Sequence, residues 1–235
     1  MSTFALIHGG GDVGWSWHLV VAELEAHGHE VVAPDLPADD DWLTLDDYAD
    51  AVAAAVGDRR DVVVVGHSFG GFTAPLVAAR LSADALVLLA GMIPAPGEPP
   101  EQWWEETGYG AAVAAQSARD GGLTGNDDPY VSFYNDVPRA LAEEALSKER
   151  AHPSQAAMEQ PWPLDAWPDV PTRFIVCADD RFFPADFLRS LARDRLGIVA
   201  DEVPGGHCAM LSHPAEIAAL LIRYAEEGSQ RHSRA

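Results

Sequence analysis

Six short apolar runs, each closed by turn residues, punctuate the chain: TFALIHG, HEVVAPDL, DVVVVGHS, ADALVLLAG, PTRFIVCADD and GIVADEVPGG. Their apolar residues follow one another with little alternation. That is the pattern of strands buried on both faces, and hence of a parallel sheet. Between them fall stretches with helical spacing, at 15–27, 43–56, 69–81, 185–195 and 214–226. The alternation predicts a doubly wound α/β fold, a mostly parallel six-stranded sheet flanked by helices.

The rhythm fails once. Residues 93–170 are too many for one crossover loop. They are rich in proline and tryptophan (PAPGEPPEQWW, EQPWPLDAWPDVP) and contain helical patterns at 100–119 and 138–150. This predicts a helical cap inserted after the fourth strand, over the carboxyl ends of the strands. The expected division is a core of 1–92 and 171–227, a cap insertion of 93–170 and a flexible polar tail of 228–235.

Composition narrows the partners. A chain of 235 residues fits one domain with an insertion. Its formal net charge of −22 opposes binding to nucleic acid or to an anionic membrane, because both repel an acidic protein. Lys148 is the only lysine among 15 basic residues. With the many alanines, this points to a GC-rich bacterial genome. Two cysteines, Cys177 and Cys208, do not make a disulfide framework. The opening MSTFALIH lacks a basic start and a long apolar stretch, so the expected location is the cytoplasm.

The chemistry is written most plainly in DVVVVGHSFGG. A buried strand runs into Gly66-His67-Ser68-Phe69-Gly70, which matches G-x-S-x-G, and a helix follows. A serine nucleophile needs this strained strand-to-helix turn, with glycines where neighbouring backbones pass close. The helix start then offers the Phe69 N–H to developing negative charge. Serine also needs a base. Of nine histidines, His207 lies in VPGGHCAML, between the last strand and the last helix, on the sheet edge that faces the elbow. His67, on the elbow, is expected to point away, and His8 to tie down the first loop. An acid must orient the base. Asp179 and Asp180 both end the strand FIVCA, and either gives the chain order nucleophile, acid, base.

The loop after the first strand, HGGGDVGWSW, has two readings. Gly9-x-Gly11-x-x-Gly14 with Asp35 downstream fits a dinucleotide fingerprint. The same letters fit a glycine-rich oxyanion loop. The dinucleotide reading leaves the serine elbow and the late Asp/His pair without explanation.

Taken together, His8-Gly9-Gly10, Gly14-Trp15-Ser16-Trp17, GHSFGG, VCADDRFFP and GGHCAML resemble the α/β-hydrolases of the plant methylesterase and hydroxynitrile lyase group. The resemblance covers most of the chain and is weakest in the cap. It implies that Asp180, four residues before Pro184, is the acid. It implies that the Gly10 N–H joins that of Phe69 in an oxyanion hole. Lyases of the group carry threonine where this chain has Gly9 and lysine where it has Cys208, which favours an esterase. The implied activity is hydrolysis of small carboxylic esters through an acyl-enzyme on Ser68, His207 and Asp180, without cofactor or metal. Pocket walls are expected from Trp15, Trp103, Trp104, Tyr130, Phe133, Trp162 and Phe182, whose aromatic rings suit an apolar or aromatic substrate. The expected partner is a small-molecule ester, with no nucleic acid and no membrane, and the expected state a monomer or homodimer. The alternatives are a lyase, thioesterase or cyclase on the same triad, or a non-catalytic binder of small molecules.

Overall fold

The computed structural model describes residues 1–37 and 40–232. The chain begins with β1 (Thr3–Ile7), a 3-10 turn (Gly14–Trp17), α1 (His18–Ala26), β2 (Glu30–Val32) and α2 (Leu45–Val56). It continues through β3 (Val62–His67), α3 (Gly70–Leu81) and β4 (Ala85–Leu89). The insertion follows as α4 (Pro100–Glu106), α5 (Tyr109–Asp120), α6 (Pro129–Ser132), α7 (Arg139–Lys148) and α8 (Gln155–Glu159). The core resumes with β5 (Thr172–Cys177), α9 (Ala185–Leu196), β6 (Asp201–Val203), α10 (Ala209–Ser212) and α11 (Pro214–His232).

The strands order as β2-β1-β3-β4-β5-β6, and every neighbouring pair is parallel. The sheet is therefore wholly parallel where the sequence predicts mostly parallel. β1, β3 and β4 are buried along their whole lengths, as helices on both faces require. α1 packs on α11, and α2 packs on α3. The strand order reverses direction at β1 and β3, so the loops leaving their carboxyl ends part there and open a crevice. β1 and β3 pair in register Ile7 to Gly66, which brings His8 and His67 out of the sheet side by side.

Differences from expectation are local. The pattern at 100–119 is two helices, broken at Gly108, whose φ of +71° ends α4 in a turn before α5 starts. Three short helices, α6, α8 and α10, go unseen in the sequence because four or five residues carry no readable period. α11 runs to His232, past the position 228 at which the tail was expected, and residues 233–235 lie outside the described ones. Among the described residues no helix is long and apolar enough to cross a membrane.

Candidate active site

Ser68 follows β3 with φ at +50°, the left-handed region that a residue with a Cβ enters at a cost of about 1–2 kcal/mol. Its backbone is held from both sides. Ser68 N–H donates to Leu89 O at 3.3 Å, and its carbonyl accepts from Gly71 at 3.0 Å and Met92 at 2.9 Å. The turn closes only because its flanking residues lack side chains. A Cβ on Gly66 would sit 2.7 Å from Gly70 O, and one on Gly71 would sit 2.0 Å from Met92 O.

His207 follows β6 and faces the same crevice. Its Nδ1 donates to Asp180 Oδ2 at 2.9 Å. The other carboxylate oxygen of Asp180 accepts the N–H groups of Phe182 and Phe183, both at 2.8 Å. With Nδ1 carrying the proton, Nε2 of a neutral His207 is free to accept one. Asp180 is therefore the carboxylate paired with His207. Asp179 turns away to the loop: its N–H donates to Gly205 O at 2.9 Å, and its carboxylate accepts from Gly205 N at 3.4 Å. Rings pack around the His207 imidazole, with Phe182 at 4.9 Å, Phe183 at 5.3 Å and Phe133 at 5.5 Å between centroids.

The expectation that His67 points away from the chemistry does not hold. Its ring lies 4.8 Å from that of His207, and its Nε2 donates to His207 O at 2.9 Å. Since a carbonyl can only accept, the His67 proton sits on Nε2. Burial pushes this imidazole well below its ordinary pKa. His8 behaves as expected of a structural residue. Its Nε2 accepts from Leu36 N–H at 3.0 Å and its Nδ1 donates to Gly9 O at 2.9 Å, which pins the glycine loop.

The loop that follows β1 is shaped for close approach. Gly10 packs against the elbow, with its Cβ position 3.6 Å from Phe69 Cβ. Among the described residues, neither the Gly10 nor the Phe69 N–H finds an acceptor. Two free donors thus stand beside Ser68. Asp35, which the dinucleotide reading places on a ribose, instead accepts from Gly14 N–H at 2.8 Å and fastens the loop. Gly14 does serve a close backbone approach, to Ala33 beyond β2, where a Cβ would lie 2.1 Å from the carbonyl oxygen.

A cavity of about 240 Å³ opens over Ser68 and His207, with Gly10 and Phe69 in its wall. Of the aromatic residues expected there, Trp104, Phe133 and Phe182 line it. Four do not. Trp103 is wholly buried in the core, with its indole N–H on Ile93 O at 2.9 Å. Trp162 is buried too, and its indole N–H reaches Phe72 O at 3.0 Å. Trp162 thus ties its segment to α3, and Trp103 packs on Phe183 and Phe187, instead of facing a ligand. Trp15 stacks on His18 at 4.3 Å, beneath Lys148. Tyr130 lies under the Arg139 guanidinium, 3.3 Å from its ring centre.

The sequence reading misses residues that do line the cavity: Asp12, Tyr134, Glu149 and Met158. Burial pushes Asp12 up to about 7, with Glu149 adding to the rise and His207 opposing it. Asp12 sits in full view inside HGGGDVG and is passed over because that loop is read for its glycines. Cys177 and Cys208 are unpaired and buried, and burial pushes both thiols well up. Among the described residues no group of three histidines, cysteines, aspartates or glutamates is placed to hold a metal ion.

A parallel sheet with a strained serine between β3 and α3, and an Asp–His pair after β5 and β6, is the arrangement of an α/β-hydrolase. The chain belongs to the alpha/beta hydrolase family, which it matches over residues 4–220. It is 28% identical over 253 residues to Methylesterase 7 of Arabidopsis thaliana, covering 95% of this chain and 96% of that one. The fold is shared with the crystal structure of polyneuridine aldehyde esterase, at TM-score 0.77 and 22% identity over 95% of this chain and 98% of that one. A pyrethroid hydrolase from Sphingobium faniae JZ-2 is as similar in fold, at TM-score 0.77 and 22% identity over 97% and 99%.

Proposed function

We propose that this protein hydrolyses small carboxylic esters, with Ser68 as nucleophile, His207 as base and Asp180 as its orienting acid. His207 Nε2 takes the Ser68 hydroxyl proton as Oγ attacks the ester carbonyl carbon. The oxyanion that forms is stabilised by the N–H groups of Gly10 and Phe69. The two donors are worth about 10²–10³ in rate each, because they are aimed before charge develops. His207 returns the proton to the departing alcohol, which leaves an acyl group on Ser68. Water, deprotonated by the same nitrogen, then releases the acid. Residues 93–170 act as the cap, since Trp104, Phe133 and Met158 supply the apolar wall over the nucleophile. No cofactor enters this scheme. The expected site of action is the cytoplasm.

What supports the reading is the pairing of His207 with Asp180 at the wall of the cavity that Ser68 lines. Asp180 takes Nδ1–H, which leaves Nε2 as the acceptor, and His207 and Ser68 line one cavity. A lyase on the same triad is less favoured. The Cβ position of Gly9 lies 3.0 Å from Ser68 Cβ, so the hydroxyl side chain that lyases of the group carry there meets the nucleophile. Cys208 in place of lysine leaves no ammonium for a departing anion.

Intact mass after exposure to a fluorophosphonate tests this directly. One phosphonyl adduct on the wild type and none on Ser68→Ala is expected, followed by turnover of short aryl and methyl esters. A well-folded wild type that takes no adduct and cleaves none of them overturns the proposal.

A further inference from the structure

Asp12 stands almost against the nucleophile. The point where a Cβ on Gly9 would sit is 3.0 Å from Ser68 Cβ and 3.4 Å from Asp12 Oδ2, so one small group spans the two side chains. A bare carboxylate there opposes the proposed chemistry. Attack on an ester builds further negative charge beside it, and among the described residues the His207 imidazole is the group that offsets the charge of Asp12. The cavity wall contains Asp12 and Glu149 but neither arginine nor lysine. His67, beside it, does not neutralise Asp12. Its Nδ1 lies 3.8 Å from Asp12 Oδ2, is 1% exposed and has no hydrogen-bond partner. With its proton on Nε2, that Nδ1 is an acceptor, and it faces another acceptor once the Asp12 carboxyl ionises above about pH 7.

A surplus of acceptors and negative charge in an otherwise aromatic cavity is the environment that recognises an ammonium ion. Carboxylate supplies the counter-charge, and ring faces supply cation–π attraction. Asp12 opens to the cavity through the 15% of its side chain that remains exposed. Trp104, Phe133 and Phe182 stand in the same wall. The chain's net charge of −22 draws cations towards any such opening and repels anions.

We propose that the cavity is built for esters bearing a cationic ammonium group, with Asp12 as the counter-charge that sets this preference. The inference rests on the hydrolase reading and adds the substrate class. Glu149, exposed at the same wall, contributes a weaker share of the same field. Burial, with Glu149 adding to it, raises the Asp12 carboxyl, and a bound cation would reverse that shift.

The test uses full-length protein at pH 8 and three esters of similar shape: acetylcholine, its neutral carbon analogue 3,3-dimethylbutyl acetate, and an acetate ester ending in a carboxylate. The readout is the ratio of kcat/KM for cationic over neutral ester, compared between wild type and Asp12→Asn. Comparing the two proteins cancels the intrinsic reactivities of the esters. The expected ratio is about tenfold higher in the wild type, the size of one charge pair in a partly solvated cavity. The anionic ester should gain on the neutral one when Asp12 is neutralised. A cation-to-neutral ratio unchanged within about twofold overturns the inference while ester hydrolysis stands. Calorimetric titration of Ser68→Ala with phenyltrimethylammonium reads the same charge without turnover. Binding that weakens about tenfold on adding Asp12→Asn supports the inference even if no ester is cleaved and Ser68 takes no fluorophosphonate, which would sink the hydrolase reading alone. Absent or unaltered binding overturns it.

Discussion

Asp180→Asn is nearly isosteric, and its effect follows from three hydrogen bonds. Asp180 Oδ1 accepts two backbone N–H groups, from Phe182 and Phe183 at 2.8 Å, and Oδ2 accepts from His207 at 2.9 Å. An asparagine has one oxygen to place. Put towards His207, it leaves its NH₂ group facing two N–H donors, and each unsatisfied buried donor costs about 1–3 kcal/mol. Put towards Phe182 and Phe183, it satisfies both and turns NH₂ to His207 Nδ1. The second arrangement wins. It forces the imidazole proton onto Nε2, so the ring can no longer accept from Ser68. The expected loss is about 10⁴ in kcat, the magnitude known for this exchange in a serine triad. Asp180→Ala leaves the ring free to choose its tautomer, so it should be no worse than Asp180→Asn in rate, though less stable. The assay is kcat on 4-nitrophenyl acetate for both variants, with unfolding midpoints to confirm folding and ¹⁵N NMR of His207 to read the tautomer. A folded Asp180→Asn that keeps more than about a tenth of wild-type kcat, or whose His207 still holds its proton on Nδ1, refutes the reasoning.

Gly71→Ala places a Cβ 2.0 Å from the backbone oxygen of Met92, which cannot swing aside, so the elbow must shift. We expect several degrees lost from Tm and a large loss of fluorophosphonate labelling, with unchanged labelling counting against the close-packed elbow. Asp12 keeps its proton to about pH 7 in the folded chain, against about 4 when unfolded. Its stabilising contribution is therefore full below pH 4 and is lost as pH rises through 7. Urea unfolding should show wild type falling behind Asp12→Asn across that window by at most about 4 kcal/mol, and parallel pH profiles would contradict the burial of this carboxyl. Trp104→Ala should raise KM for aryl esters with modest loss of stability. Trp162→Ala should cost about 3–5 kcal/mol of stability, measured by chemical denaturation, because it empties a core site.

The strands were readable because burial on both faces leaves no alternation to interpret: Val62 to Val65 admit few other readings. The positions proposed for the triad were readable because Ser68, Asp180 and His207 each follow a strand end, where chain order already implies place. The insertion was not. Trp103 and Trp104 are neighbours on the seven-residue helix α4, yet one is buried in the core and the other faces the cavity. A helix that short has too few turns to show which side faces inward. Trp162 meets the core through a hydrogen bond to Phe72, 90 positions away, a pairing no local pattern announces. His67 was misplaced for a similar reason, since its partner, the carbonyl of His207, belongs to a residue 140 positions on.

That last bond has a mechanical consequence. The proposed nucleophile and base leave strands separated in the sheet by β4 and β5, and β6 is an edge strand of three residues, the kind that frays first. Were their spacing transmitted only through the sheet, every change of twist and every opening of the edge would alter the gap between Ser68 and His207. The His67 side chain spans that gap on the cavity side, from the residue before the nucleophile to the main chain of the base. The edge of the sheet can therefore breathe while the two reacting residues keep their separation. The elbow's middle histidine works as a spacer, setting a length that the sheet alone would leave elastic.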